Sequence, residues 1–286
     1  MARTIRLDYR ARPSLAAFLA RALWPSPGLA RGGVPAITAR WRHRAEAAEL
    51  ACFHALCGLP QEEALPLLYP HIAGFALHMS ILTQPQFPLP IWRMLQIRNR
   101  IVQHAPLAGE APLDIAVSIA GHRILDKGAE FDLRCEVIQR DALAWESLTT
   151  FYSRGRFGAP SAQAGAPAAP RVEGAERRQW QAPAGGGWRF GGLSGDYNPL
   201  HWWGGYARRR GYRRAFHHPQ RVLGECLARL PQPGALPQRL DAWIKGPVFY
   251  GAPLELRQEE AADGLRFALH VDGDARPAIV GCLGRP

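Results

Sequence analysis

A helix followed by several strands occurs twice in the apolar pattern of this chain. In the first half, residues 62–82 are largely apolar and predict a helix. Apolar residues at every second position then predict strands at 113–119 and 131–137, and the Trp, Thr, Phe and Tyr of 145–152 predict a third, all with one buried face. In the second half, a predicted helix at 219–230 precedes strand-like runs at 240–250, 254–258, 265–271 and 277–283. We therefore expect an α+β protein in which one structural unit is used twice.

A stretch rich in proline, glycine and alanine separates these halves. Residues 155–187 contain four prolines and the run Gly185–Gly187, a composition that predicts a linker. We expect an N-terminal domain over residues 1–154, which includes a basic segment at 1–33, and a C-terminal domain over residues 188–286.

A short sequence echo supports a duplication. Phe53–Gly58 and Phe190–Gly195 both read F-x-x-L-x-G, at an offset of 137 residues. The same order of helix and strands in both halves adds to this evidence. Leu59 stands where the second half has Asp196. If the halves are duplicates, the first has lost its carboxylate.

The composition excludes several classes of protein. The 286 residues are 47% hydrophobic, which is too apolar for a disordered chain. No run approaches the roughly 18 consecutive apolar residues of a membrane-spanning helix, so we expect no membrane span. The five cysteines include no C-x-x-C pair, so we expect neither a disulfide framework nor a zinc site. A cytoplasmic location fits this cysteine usage.

The net charge of +11 comes from two short regions. Residues 1–33 contribute +5, residues 197–224 contribute +6, and the remainder sums to zero. Local cationic patches attract anionic partners such as phosphate groups, acidic proteins, nucleic acid or a membrane surface. We expect the N-terminal basic segment to dock on the domain that follows it.

The segment Phe190–His201 carries the residues best suited to chemistry. Asp196 and His201 lie five positions apart, and Asn198 and Pro199 between them favour a turn. Such a turn can bring the carboxylate and the imidazole toward one point, which a general acid–base pair requires.

The whole segment resembles the signature of the MaoC-like dehydratases, also called the hydratase 2 family, which reads aromatic-x-x-[LVIG]-[STGC]-G-D-x-N-P-[LIV]-H-x5-[AS]. The matching residues are Phe190, Leu193, Ser194, Gly195, Asp196, Asn198, Pro199, Leu200, His201 and Ala207. The resemblance covers the second half well and the first half only at the level of the fold. It implies a double hot dog, in which two antiparallel sheets each wrap around a central helix. The first unit would be degenerate and the second active.

The resemblance also implies a reaction, the reversible addition of water to a trans-2-enoyl thioester. The product is a (3R)-hydroxyacyl thioester, as formed by the (R)-specific enoyl-CoA hydratases and 3-hydroxyacyl-thioester dehydratases of fatty acid metabolism. Asp196 and His201 would form the catalytic dyad, and Asn198 would orient the dyad or the water. Ser194 and Gly195 would shape the turn, and the first half would host the acyl chain.

One position departs from the family pattern. In the family, a backbone N–H that follows a histidine at the start of a helix stabilises the thioester oxygen. The matching histidine is His218, but Pro219 follows it, and proline has no N–H. Three alternatives stay open: a donor at Gln220 or on a side chain such as His217, a low rate or another substrate, or an inactive site.

Arginines beside the motif are interpreted as the site for the phosphates of coenzyme A or for the acidic face of an acyl carrier protein. They are Arg208, Arg209, Arg210, Arg213 and Arg214, and Trp202, Trp203, Tyr206 and Tyr212 lie among them. No metal or redox cofactor is implied, because coenzyme A or the carrier protein enters with the substrate. We expect a homodimer.

Two other classes of function stay open. Pro219 favours a non-catalytic hot dog protein that binds acyl thioesters. Arginines interleaved with aromatic residues also occur in proteins that bind single-stranded nucleic acid, although such a partner is less expected beside a thioester motif. A metal site built from His201, His217, His218 and Cys226 is not favoured, because their spacing fits no standard zinc pattern.

Overall fold

The computed structural model describes residues 4–29, 33–231 and 236–286. The first half contains β1 (Ile5–Tyr9), α1 (Leu15–Ala22), β2 (Ile37–His43), α2 (Ala47–Cys57), α3 (Tyr69–Leu82), β3 (Leu95–Gln103), β4 (Leu113–Leu125), β5 (Gly128–Gln139) and β6 (Ala142–Arg154). The second half contains β7 (Glu176–Gln181), α4 (Gly187–Ser194), α5 (Gly204–Arg209), α6 (Pro219–Leu227), β8 (Gln238–Ile244), β9 (Pro253–Ala261), β10 (Gly264–Val271) and β11 (Ile279–Gly284).

The strands form one continuous sheet in the order β1-β2-β4-β5-β6-β3-β8-β11-β10-β9-β7. Without β1, each half has the same order from its outer edge inward: β2-β4-β5-β6-β3 in the first half and β7-β9-β10-β11-β8 in the second. This repetition agrees with the double hot dog fold. The sheets of the two halves are joined into one, because β3 and β8 pair at a central seam. In addition, β1 pairs with β2 in parallel.

The central helix of the first half is α3, and all of its residues except Met79 are buried. A helix that is buried on every side fits a position between the sheet and other helices. Gly74 of α3 faces the sheet, since a Cβ at this position would lie 3.2 Å from Cys135 Sγ. The helix begins at Tyr69 and not near residue 62, because Pro70 is tolerated only in a first turn.

The segment expected to be a linker contains a strand. Its residues Glu176–Gln181 form β7, which pairs with the edge strand β9. Five of the six β7 residues are exposed and only Trp180 is half-buried, so an alternating apolar pattern is missing. The second half therefore starts with a polar edge strand inside 155–187, and α4 begins at Gly187.

Both copies of the F-x-x-L-x-G echo occupy the same place in the fold. Gly58 ends α2 with a φ of 67°, and Gly195 ends α4 with a φ of 79°. Both values lie in the left-handed region that favours glycine at helix ends. The glycines of the echo thus stop two equivalent helices, and the next residue is Leu59 in one half and Asp196 in the other.

The halves also contact each other through side chains. At the seam, Arg98 of β3 donates to Asp241 of β8 at 2.5 Å, and both side chains are buried. Helices α2 and α6 pack so closely that a Cβ on Gly224 would lie 2.7 Å from Cys57 Sγ.

The N-terminal segment docks as expected. Strand β1 extends the sheet, and Arg12 donates to the backbone oxygen of Gly192 in α4 at 2.8 Å. Arg3 and Arg31, which contribute to the basic segment, lie outside the described residues. Within the described ranges, no helix combines the length and the apolar character needed to cross a membrane.

Candidate active site

The end of α4 is held by hydrogen bonds that place Asp196. The Ser194 hydroxyl donates to the backbone oxygen of Phe190 at 3.0 Å and accepts the N–H of Asp196 at 3.1 Å. The chain reverses at Gly195, whose left-handed backbone suits glycine. Ser194 and Gly195 therefore lie in the turn that carries the carboxylate, which is the position expected from the sequence.

Asn198 positions its neighbours. Its backbone N–H donates to Asp196 Oδ1 at 3.1 Å, and its own Oδ1 accepts the N–H of Leu200 at 3.1 Å. The second bond caps a single 3₁₀ turn, Pro199–His201. The Asn198 side chain is exposed and already engaged. The side chain caps the turn that delivers His201, and the backbone N–H holds the Asp196 carboxylate.

His201 is buried, with one ring nitrogen bonded and the other facing the carboxylate. Nδ1 pairs with the backbone oxygen of Phe216 at 3.0 Å, and a carbonyl can only accept, so we assign the proton to Nδ1. The lone pair of Nε2 then faces Asp196 Oδ2 at 3.7 Å. The hydroxyl of Tyr250 donates to the backbone oxygen of His201 at 2.5 Å, which fixes the main chain of this residue.

A second imidazole, His218, completes the cluster. Its ring stacks on that of His201 with 3.8 Å between centroids. Its Nε2–H donates to the backbone oxygen of Asp196 at 2.8 Å and lies 4.0 Å from Asp196 Oδ2. His218 also precedes α6 as the N-cap residue. The structure thus brings Asp196, His201 and His218 together.

Both imidazoles are kept uncharged. Burial lowers the pKa of His201, although the Asp196 carboxylate and the Phe216 carbonyl act in the opposite direction. Burial, followed by the proximity of His201, lowers the pKa of His218 well below its usual value. At neutral pH the site therefore holds two neutral imidazoles beside one carboxyl group.

This arrangement suits proton transfer through a shared water. At 3.7 Å, Asp196 Oδ2 and His201 Nε2 are too far apart for a direct hydrogen bond. One water can donate to both atoms and lose a proton to either. Ligand atoms of Asp196, His201 and His218 lie within 4.8 Å of one another, so the cluster also has the donor types of a divalent cation site. His218 Nε2, however, is already bonded to a backbone oxygen.

The hydrogen bonds around Pro219 show which groups are free to donate. Pro219 is the first residue of α6, where its missing N–H does not disturb the helix. The Nε2–H of His217 donates to the backbone oxygen of Pro183 at 3.0 Å, so this side chain is occupied. Gln220 is buried, and both polar atoms of its side chain lack a partner among the described residues.

The five arginines beside the motif are exposed but not equivalent. Arg213 forms an ion pair with Asp272 and lies over the Phe249 ring. Arg210 bonds to the hydroxyl of Tyr206. Arg208 and Arg209 end α5, where cations stabilise the negative end of a helix. Arg214 also lies near the Phe249 ring.

Arg221, counted in the same charged region, is buried against the first half and does not belong to this surface. Its guanidinium donates to the backbone oxygens of Leu56 and Gly185 and lies 3.5 Å from Glu225.

Exposed aromatic rings adjoin the arginines. Trp188, Trp202 and Trp203 are 59%, 42% and 51% exposed. Trp188 packs edge-on against Trp202 at 5.3 Å, and Trp203 stacks near Tyr206 at 6.1 Å. Sequence reasoning missed Trp188, which precedes the motif by two positions, and the stacking of His218 on His201. In the sequence, Trp188 is only a tryptophan in a glycine-rich stretch. The stacking of the two histidines depends on how α6 packs against the turn.

No protein-family model matches this chain. Its sequence is 26% identical over 168 residues to 3-hydroxyacyl-thioester dehydratase X of Mycobacterium tuberculosis. The aligned region covers 54% of this chain and 55% of that protein. The match therefore spans about half the length of this curated relative.

Several solved structures share the fold. HtdX of M. tuberculosis superposes with a TM-score of 0.71 at 22% identity, over 86% of this chain and 98% of that one. A MaoC-like dehydratase from Phytophthora capsici has a TM-score of 0.71 at 15% identity, over 89% and 96% of the two chains. A second M. tuberculosis protein, described as a double hot dog, has a TM-score of 0.56 at 17% identity, over 91% and 96%. These likenesses establish the double hot dog fold.

Proposed function

We propose that this chain, which has the double hot dog fold of the MaoC-like dehydratases, is a hydro-lyase that adds water reversibly to a trans-2-enoyl thioester. The observation that carries the proposal is the pair formed by the half-buried Asp196 and the buried His201, with Oδ2 and Nε2 3.7 Å apart and able to share one water. The similarity to a 3-hydroxyacyl-thioester dehydratase over half of the chain supports it. The product would be a (3R)-hydroxyacyl thioester.

In the hydration direction, the pair holds a water by its two hydrogens. As the water oxygen attacks C3 of the enoyl group, one proton passes to the pair, and the pair returns a proton to C2. The net change is one hydroxyl added at C3 and one hydrogen at C2, with the pair restored. Because the two groups are coupled, the proton belongs to the pair and is not assigned to one residue. Dehydration follows the same steps in reverse.

The carrier of the acyl group would bind at the surface formed by Arg208, Arg209, Arg210 and the neighbouring tryptophans. Guanidinium groups bind phosphates well, and the exposed indoles offer faces for an adenine ring. This surface supports coenzyme A or an acyl carrier protein as the carrier. A homodimer, a cytoplasmic location and an acyl chain housed in the first half remain predictions.

Turnover of enoyl thioesters tests the proposal. Purified protein is mixed with crotonyl-CoA and longer trans-2-enoyl-CoAs, and the loss of enoyl absorbance is followed. Asp196→Asn and His201→Ala should each lower kcat by about 10²–10⁴-fold, because each removes one proton-transfer group. Asp114→Asn and His104→Ala, which change exposed residues of the first half, are the matched controls. Full activity in both dyad variants would overturn the proposed chemistry.

A second candidate is a non-catalytic protein that binds acyl thioesters, and Pro219 is the observation that favours it. It predicts that the wild-type protein binds acyl-CoA but turns over none of the enoyl-CoAs. Tight, salt-dependent binding of oligonucleotides would instead assign the arginine surface to nucleic acid.

A further inference from the structure

We propose that the side-chain amide of Gln220 donates a hydrogen bond to the thioester carbonyl, in place of the backbone N–H that Pro219 lacks. This inference rests on the proposed function. It adds a catalytic residue that would contact the substrate and that belongs to neither the turn nor the dyad.

The chemistry requires such a donor. When a proton leaves C2, or when water adds to C3 in the opposite direction, negative charge moves onto the thioester oxygen. Hydrogen-bond donors aimed at such an oxygen are among the largest contributions to catalysis. The start of α6 is suited to supply one, because its first N–H groups are free and its dipole favours negative charge. Its first residue, however, is Pro219.

The other side chains that could donate near this helix end already make hydrogen bonds. The ring of His217 donates to Pro183 O, and that of His218 donates to Asp196 O. The guanidinium of Arg221 donates to Leu56 O and Gly185 O. Either histidine would have to lose the bond that its ring N–H makes now, and the Arg221 guanidinium is held against the first half by its bond to Leu56 O.

Gln220 is the exception. It is only 5% exposed, and neither Nε2 nor Oε1 has a hydrogen-bond partner among the described residues. A buried amide without partners is unfavourable, so such a group in a native fold needs an explanation. A substrate carbonyl would provide the missing acceptor for Nε2.

The position of Gln220 fits this role. It follows His218 by two residues, and His218 stacks on His201 of the dyad. Gln220 and Gly224 lie one turn apart on the same face of α6. Gly224 faces the first half, since a Cβ at this position would lie 2.7 Å from Cys57 Sγ and 3.8 Å from Leu68 Cδ1. Gln220 therefore lies where the dyad, α6 and the first half meet, which is the boundary that a bound acyl thioester would cross.

The test compares single and double variants of the full-length protein in the enoyl-CoA assay. Gln220→Ala should lower kcat by about 10²–10³-fold, the effect of losing one such donor, with a smaller change in KM. Gln220→Glu should be at least as slow, because an ionised carboxylate cannot donate. Pro219→Gly added to Gln220→Ala restores a backbone N–H and should recover at least tenfold in kcat. Gln179→Ala, which removes an exposed amide bonded to Glu255, is the matched control and should not change kcat.

The outcomes are distinguishable. Wild-type kcat in Gln220→Ala would overturn the role of Gln220 while leaving the proposed hydro-lyase intact. A slow Gln220→Ala variant that Pro219→Gly does not rescue would show a packing role and would also overturn the inference. No turnover by the wild-type protein would refute the proposed function itself. Thermal unfolding of each variant identifies any loss of folded protein.

Discussion

Replacing His78 by leucine should make the stability of this protein less sensitive to acid. His78 lies in α3, is fully buried, and has no partner for Nε2 among the described residues. Burial lowers its pKa to about 4, although the Gly74 backbone oxygen that accepts its Nδ1–H at 3.1 Å acts in the opposite direction. The rings of His71, Phe75 and Phe151 surround it.

The size of the effect follows from proton binding. Above pH 6.5 the imidazole is neutral in both the folded and the unfolded chain, so its contribution to stability is complete. As the pH falls below 6.5, the unfolded chain takes up a proton and the folded chain does not until about pH 4. The free energy of unfolding then drops by about 1.4 kcal/mol per pH unit, or about 2 kcal/mol at about pH 5.

Urea unfolding of both proteins at about pH 7.5 and about pH 5 measures this quantity. The free energy lost between the two pH values should be about 2 kcal/mol smaller for His78→Leu than for the wild type. All other titratable groups are present in both proteins, including His71 at 5.4 Å, so most of the difference comes from the His78 imidazole. Phe75→Leu, a packing change beside His78 without a titratable group, should lower stability equally at both pH values. Equal losses in the wild type and His78→Leu would refute the reasoning.

Three other changes test the contacts between the halves and the surface near the motif. Asp241→Ala leaves the Arg98 guanidinium buried without its carboxylate and should lower the free energy of unfolding by about 3–5 kcal/mol, measured by urea titration. Gly224→Ala places a methyl group 2.7 Å from Cys57 Sγ and should cost about 1–3 kcal/mol, which adding Cys57→Ala should reduce. Trp202→Ala should raise KM for an enoyl-CoA by about tenfold with little change in kcat, if the indole stacks on adenine. An unchanged free energy of unfolding in the first two variants, or an unchanged KM in the third, would contradict these expectations.

The strands with one buried face were predictable because their sequences alternate. Residues 131–137 and 265–271 alternate cleanly, and both lie inside strands of the sheet. In two of the missed strands, β7 and β3, other contacts replace apolar burial. Strand β7 is an exposed edge, and β3 carries the buried Arg98 and Asn99 because it faces the second half at the seam.

The part of the site that is local in sequence could also be predicted. Asp196 and His201 lie five positions apart, and the turn between them closes through bonds within the motif. The stacking of His218 on His201 could not be predicted, because it depends on where α6 begins. Arg221 shows an error of another kind. The count of charges along the chain included it in the basic region, but its guanidinium is buried.

The pairing of β3 with β8 also affects which polypeptide chains can pair with the edge of β3. Strand β3 carries Arg98 and Arg100 and no acidic residue. While a ribosome is still making the second half, the edge of β3 is open to neighbouring nascent chains. Two such edges would bring arginines together with no carboxylate between them, which disfavours their pairing. Strand β8 brings Asp241 to this edge, so the charge on β3 favours the partner made by the same ribosome over a copy of itself.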